Sequence, residues 1–214
     1  MTYEGEDIAR EFDKIGVTAF VVKYRLPSDD IMVDKTIGPL QDAQRAIQIV
    51  RERAAEWGVN PDKIGIIGFS AGGHLASTLA THFKKAVIPN EANISLRPDF
   101  AMLIYPVITF GPLAHAGSRE NLIGKNPSQE LVDLYSNEKQ ITPDTPPCFL
   151  IHAENDGAVP VQNSLMFYEA LVKNKVKAEM HIFEEGDHGF GMINPKNKGL
   201  WFEWGGNWLK ENGF

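Results

Sequence analysis

Ile64-Gly65-Ile66-Ile67-Gly68-Phe69-Ser70-Ala71-Gly72-Gly73-His74-Leu75 is an apolar run that ends in a glycine-flanked serine and passes at once into a helical pattern, Leu75, Leu79 and Phe83. A strand that turns directly into a helix around a serine needs a tight backbone turn. Small residues two positions to either side, Gly68 and Gly72, let the chain make it without clashes. The first turn of the helix adds N–H groups without intrahelical acceptors and the positive end of the helix dipole, where negative charge on an oxygen is stabilised. A Gly-x-Ser-x-Gly string alone arises by chance in many glycine-containing loops; the strand before it and the helix after it make Ser70 a candidate nucleophile.

Outward from this turn, four more runs rich in Val, Ile and Phe read as strands: Val17 to Val22, Phe100 to Tyr105, Phe149 to Ala153 and Ala178 to Phe183. Apart from the last they are apolar nearly throughout, as strands of a parallel sheet buried on both faces are. The last alternates and is expected nearer an edge. Helical spacing lies between them, at Ile8, Phe12 and Ile15, at Leu40, Ala43, Ile47, Val50, Ala54 and Trp57, and at Leu165, Tyr168, Leu171 and Val172. This alternation predicts an α/β fold with a mostly parallel sheet and helices on both faces, in one domain over 1–214. Residues Val107 to Pro147 break it with Gly111-Pro112, Asn126-Pro127 and a proline-rich end, and with a helical stretch only near Gln129 to Tyr135. So long a connection is usually functional, and it is read as a cap over the site.

A serine hydroxyl needs a base, and the base needs a carboxylate to orient it. Asp156 lies in the loop that begins where the strand Phe149 to Ala153 ends. His188, in Glu185-Gly186-Asp187-His188-Gly189-Phe190, follows the strand Ala178 to Phe183. Both therefore reach the carboxyl edge of the sheet, where ligands bind in such folds. Glu154 shares the loop and is the alternative acid, with Asp156 favoured by its place in the strand-end motif. Asp187 is read as solvated or loop-shaping. His74, His82, His152 and His181 read as structural, and His115, in the cap, as a substrate contact.

The 214 residues are 43% hydrophobic and 23% charged, the make-up of a folded globular chain. A net charge of -7 with no basic stretch argues against a nucleic-acid partner. The single cysteine, Cys148, excludes an internal disulfide, and no Cys/His spacing matches a zinc site, so neither a metal nor another cofactor is called for. The acidic start, without the features of a secretory signal, and the absence of any apolar run long enough to span a bilayer read as a cytoplasmic chain with no membrane partner.

The elbow Gly68 to Ala76, the segment His152 to Pro160 and Asp187-His188-Gly189-Phe190 together resemble the α/β-hydrolases of the esterase and lipase superfamily. Tyr24-Arg25-Leu26, Asn60-Pro61-Asp62-Lys63-Ile64 and Ser118 to Gly124 are similar to bacterial acetyl esterases, often called acetylxylan esterase-like, that remove acetyl groups from plant polysaccharides or their fragments. The resemblance implies a serine esterase with a triad of Ser70, Asp156 and His188, the Ala71 N–H as an oxyanion donor, and His115, Arg119 and Asn121 of the cap as substrate contacts. It also implies a Gly-rich loop before the serine, donating a second N–H, and none precedes Ser70. Losing one such donor costs about 100- to 1,000-fold in turnover. The fold is thus expected to be N-terminally shortened, without a strand that in relatives lies between those matching Val17 to Val22 and Ile64 to Gly68. Either these two close up and pair, or a second copy covers the exposed surface in a homodimer, or the chain is a fragment. A prolyl-oligopeptidase-like peptidase and a catalytically weak hydrolase serving in binding or assembly are the competing readings.

Overall fold

The computed structural model describes every residue except Met1 and Lys198. Four parallel strands pair in the order β1 (Ile66–Phe69), β2 (Ala101–Ile104), β3 (Cys148–Ala153) and β4 (Ala178–Phe183). Ile66 lies beside Ala101, Ala101 beside Cys148 and Cys148 beside Ala178, so the strands start level and their carboxyl ends form one edge. The helices are α1 (Asp7–Lys14), α2 (Gly38–Glu52), α3 (Ala54–Trp57), α4 (Ser70–His82), α5 (Ala116–Ile123), α6 (Gln129–Leu134), α7 (Gln162–Lys173) and α8 (Trp201–Glu211).

The period of two along each strand explains the layers. Met102, Ile104, Phe149, Ile151 and Ala153 face one side, where they pack with Ile8 and Phe12 of α1 and Trp201, Trp208 and Leu209 of α8. Ala101, Leu103, Cys148 and Leu150 face the other, against Ala76 and Ala80 of α4 and Phe167 and Leu171 of α7. Leu40, Ala43 and Ile47 of α2 pack on Leu75 and Leu79 of α4 outside that layer. Both faces are covered, which is why the central strands carry almost no polar residue. The alternating strand β4 lies at an edge, as expected.

Two expectations need correction. Residues 17–22 form no strand, and among the described residues β1 has no partner on its outer side. The run has strand composition, but a strand exists only where a second backbone completes its ladder. Val17 N–H bonds back to Phe12 O, and no segment pairs with the rest. Phe20, Val21 and Val22 are consequently exposed, as are Leu26, Ile31 and Val33 beyond them. The direct pairing of 17–22 with β1 is therefore not the arrangement this chain adopts. The long helical stripe from Leu40 to Trp57 is also divided, into α2 and α3 at Arg53.

Residues 107–147 are tightly packed. Val107, Phe110, Leu122, Ile123, Val132 and Tyr135 form a buried cluster with Val159. Asn163, at the start of α7, accepts the N–H groups of Ile108 and Thr109 (2.9 and 3.0 Å), and Asn137 donates to Ser77 Oγ (2.7 Å) and Thr78 Oγ1 (3.0 Å) on α4. Buried asparagines here do what a ladder does elsewhere, supplying partners to polar groups removed from water.

Candidate active site

Ser70 follows β1 and opens α4, with φ of 51°, a left-handed conformation that a residue other than glycine rarely adopts. The turn brings strand and helix so close that a Cβ at Gly68 would stand 2.2 Å from Gly72 O, and one at Gly73 would stand 2.6 Å from Pro106 Cβ. At Gly72 the nearest atom to an added Cβ is Tyr24 Oη at 3.8 Å, which is ordinary contact. The turn itself thus demands glycine at 68 and 73, not at 72, a correction to the symmetric reading of the motif. Ser70 O accepts the N–H of Val107 at 3.0 Å, which fastens the elbow to the segment leaving β2. Ala71 is exposed in the first turn of α4, where backbone N–H groups have no intrahelical acceptor.

Ser70 Oγ lies 2.8 Å from His188 Nε2, and His188 Nδ1 lies 2.6 Å from Asp156 Oδ2. The loops after β1, β3 and β4 have met at one edge. Of the two carboxylates of that loop, Asp156 bonds His188 and Glu154 is exposed. The Asp156 side chain is fully buried. Its Oδ1 accepts from the N–H groups of Ala158 (2.9 Å) and Val159 (2.8 Å), and His152 Nε2 stands 3.2 Å from Oδ2. Burial alone would push this carboxyl up. The hydrogen bonds from His152, His188 and the two backbone N–H groups outweigh it and hold Asp156 well below the usual carboxylate range.

Among the described residues, three of the five non-glycine residues with positive φ belong to this region: Ser70, Tyr105 and Asp187. Backbone strain therefore gathers around the site. Tyr105, at the end of β2, lays its ring edge-to-face against His188 with centroids 5.1 Å apart. Its hydroxyl donates to Glu4 Oε1 (2.7 Å) and accepts from Gly191 N–H (3.0 Å), tying the start of the chain to the loop after His188. Asn155 joins the other two loops: its Oδ1 accepts from Gly186 and Asp187 N–H (2.9 and 3.0 Å), and its Nδ2 donates to Asp187 Oδ1 (3.0 Å). Asp187 shapes the loop, as expected. Glu4, Tyr105 and Asn155 were invisible to sequence reasoning, since nothing about their local sequence marks a partner more than thirty positions away.

The remaining histidines divide. His74 stacks on Phe110 at 4.2 Å and bonds Tyr135 O at 2.9 Å; burial pushes it down to about 4, so it is a neutral packing group. His82 binds Leu134 O at 3.1 Å, and His181 pairs with Glu179 at 2.7 Å. His115 caps α5: its Nδ1 accepts the Ser118 N–H at 3.2 Å. Arg119 and Asn121 lie on that same helix, Asn121 exposed and Arg119 half-buried with an Nε that has no hydrogen-bond partner. None of these three is hydrogen-bonded to Ser70, Asp156 or His188.

Residues 2–171 match the BD-FAE family model. Endo-1,4-beta-xylanase B of Butyrivibrio fibrisolvens is 40% identical over 199 residues, 91% of this chain and 31% of that protein. The acetylxylan esterase of Xylanibacter ruminicola is 37% identical over 221 residues, 98% of this chain and 42% of that protein. This chain thus spans about a third to two fifths of the length of these curated relatives. The crystal structure of an acetyl ester-xyloside bifunctional hydrolase from Caldicellulosiruptor lactoaceticus superposes with a TM-score of 0.90 at 38% identity, covering all of this chain and 78% of the other. Strand order, elbow, convergent loops and these similarities agree, and the chain belongs to the BD-FAE family, with the fold of the α/β-hydrolases.

Proposed function

We propose that this chain is a serine esterase that removes short acyl groups, acetyl above all, from carbohydrates. The observation that carries the reading is the continuous hydrogen-bond chain from Ser70 Oγ through the His188 ring to Asp156, 2.8 and 2.6 Å long. His188 Nε2 takes the hydroxyl proton as Ser70 Oγ attacks the ester carbonyl, and then gives that proton to the departing sugar oxygen. Water, deprotonated by the same nitrogen, releases the carboxylate from the acyl-enzyme. Asp156 keeps the proton of neutral His188 on Nδ1, so that Nε2 is free to act as the base. The Ala71 N–H faces the developing oxyanion, a role supported by its place in the first turn of α4.

Residues 107–147 act as a cap within a single 1–214 domain, and Arg119 is the best of the three expected substrate contacts, since its buried Nε lacks an acceptor. The names of an acetylxylan esterase and an acetyl ester-xyloside hydrolase among the relatives support the acetylated carbohydrate as substrate. Labelling by a fluorophosphonate probe and hydrolysis of p-nitrophenyl acetate are both expected of the wild type and lost in Ser70→Ala. A wild type no better than Ser70→Ala in both assays refutes the reading. Self-association belongs to the same proposal, supported by the exposed apolar side chains between Phe20 and Val33 and the unpaired side of β1. Light scattering that gives the mass of one chain at assay concentration would set it aside.

A further inference from the structure

His152 is the last residue but one of β3 and is wholly buried, four residues before Asp156. Its ring has three polar neighbours: Ser164 Oγ of α7 at 2.7 Å from Nδ1, Val159 O at 3.0 Å from Nε2, and Asp156 Oδ2 at 3.2 Å from the same Nε2. The two groups facing Nε2 are acceptors only, so Nε2 carries a proton and shares it between them. In the neutral ring Nδ1 is then the acceptor for the Ser164 hydroxyl, which can donate to it. Asp156 Oδ2 consequently receives two imidazole N–H groups, from His188 and from His152, while Oδ1 receives two backbone N–H groups. Every lone-pair direction of the carboxylate is occupied.

We propose that His152 is a positioning residue of the active site: its Nε2–H, set by the two acceptors that face it, holds the Asp156 carboxylate in its rotamer and draws off part of the charge on the oxygen that His188 uses. This rests on the reading of Ser70, His188 and Asp156 as the triad. Two histidines on one carboxylate oxygen compete for it, and the share taken by His152 is withheld from the imidazolium that forms on His188. Asp156 faces His152 and His188 and no other titratable side chain within hydrogen-bond reach; His188 faces Asp156 and the Tyr105 ring.

The test compares His152→Leu, which removes the donor, with His152→Gln, whose amide can supply one from a similar position. His152→Leu is expected to lower kcat by about tenfold or more with KM little changed, because a carboxylate that has lost one of its four donors orients the base less well. The acid limb of kcat/KM is expected to move up by about half a pH unit, since the full charge on Oδ2 now favours the protonated His188. His152→Gln should return the limb toward its wild-type position and recover most of kcat. Equal loss in both variants with an unmoved limb assigns His152 to packing alone and overturns the proposal. Should His152→Leu not fold, imidazole nitrogen shifts of the wild type decide instead: a proton on Nε2 and an accepting Nδ1 are expected, and a proton on Nδ1 alone overturns the proposal. Probe labelling of Ser70 with normal behaviour of both variants defeats this inference and leaves the triad reading intact, whereas absent labelling defeats the triad.

Discussion

At the scale of the residue, Ser70 is held in a conformation that costs on the order of 1–3 kcal/mol and persists because its surroundings leave no alternative. The surroundings are unequal on the two sides of the serine. Gly68→Ala would drive a methyl into the Gly72 carbonyl, a backbone atom that cannot step aside, and is expected to destabilise by about 2 kcal/mol or more. Gly72→Ala makes only an ordinary contact with Tyr24 Oη, in a helix, where alanine is favoured by about 1 kcal/mol. Urea unfolding of the two variants checks the contrast, and equal destabilisation would show that the turn is not governed by the 2.2 Å approach. Sequence order alone pointed to Ser70, His188 and Asp156, because each follows a recognisable strand. His152 was legible as buried but not as a partner of Asp156. Whether a buried histidine merely packs or also orients a carboxylate depends on which of its nitrogens carries the proton, and only its neighbours reveal that.

Elements were legible in proportion to how far their own residues determine them. β2 and β3 are buried on both faces and announce themselves by unbroken apolar runs, and α4 and α7 by a stripe that faces the sheet. α5 has no such stripe: its apolar residues Leu122 and Ile123 sit together at its end, and it is started by the His115 cap, so periodicity passed over it. α8 hides for another reason, since Gly205 and Gly206 interrupt a pattern whose anchors, Trp201, Trp208 and Leu209, are two turns apart. The run 17–22 failed in the opposite sense. Composition marked it as β-prone, and the resemblance implied that the strand beside it is lacking; pairing is a property of two segments, so whether the run would close up on β1 instead could not be read from either segment alone. The cap was legible as an interruption and illegible as a structure, because the asparagines that tie it down, Asn137 and Asn163, act across more than fifty residues.

Over the whole molecule, the sheet is unevenly supported. Among the described residues β2 and β3 each pair on both sides, whereas β1, the strand that delivers Ser70, pairs with β2 alone, as β4 pairs with β3 alone. Ile66 N–H bonds Phe100 O toward β2, and the alternation of a strand turns the N–H groups of Ile67 and Phe69 the other way, where no acceptor lies among the described residues. Amide protons report such differences as rates. Hydrogen–deuterium exchange at Ile67 is expected to outrun that at Leu103 and Leu150 by about a hundredfold or more, since no opening of the sheet must precede it. Protection of Ile67 equal to that of Leu103 would mean that another backbone covers this side in solution. Unequal support also sets an order of events on warming. The turn that carries the nucleophile rests on an edge strand with four paired residues, against six in the other edge strand β4, so esterase activity should fade before the sheet as a whole melts, and heat inactivation should begin as a local loosening at the amino end of α4.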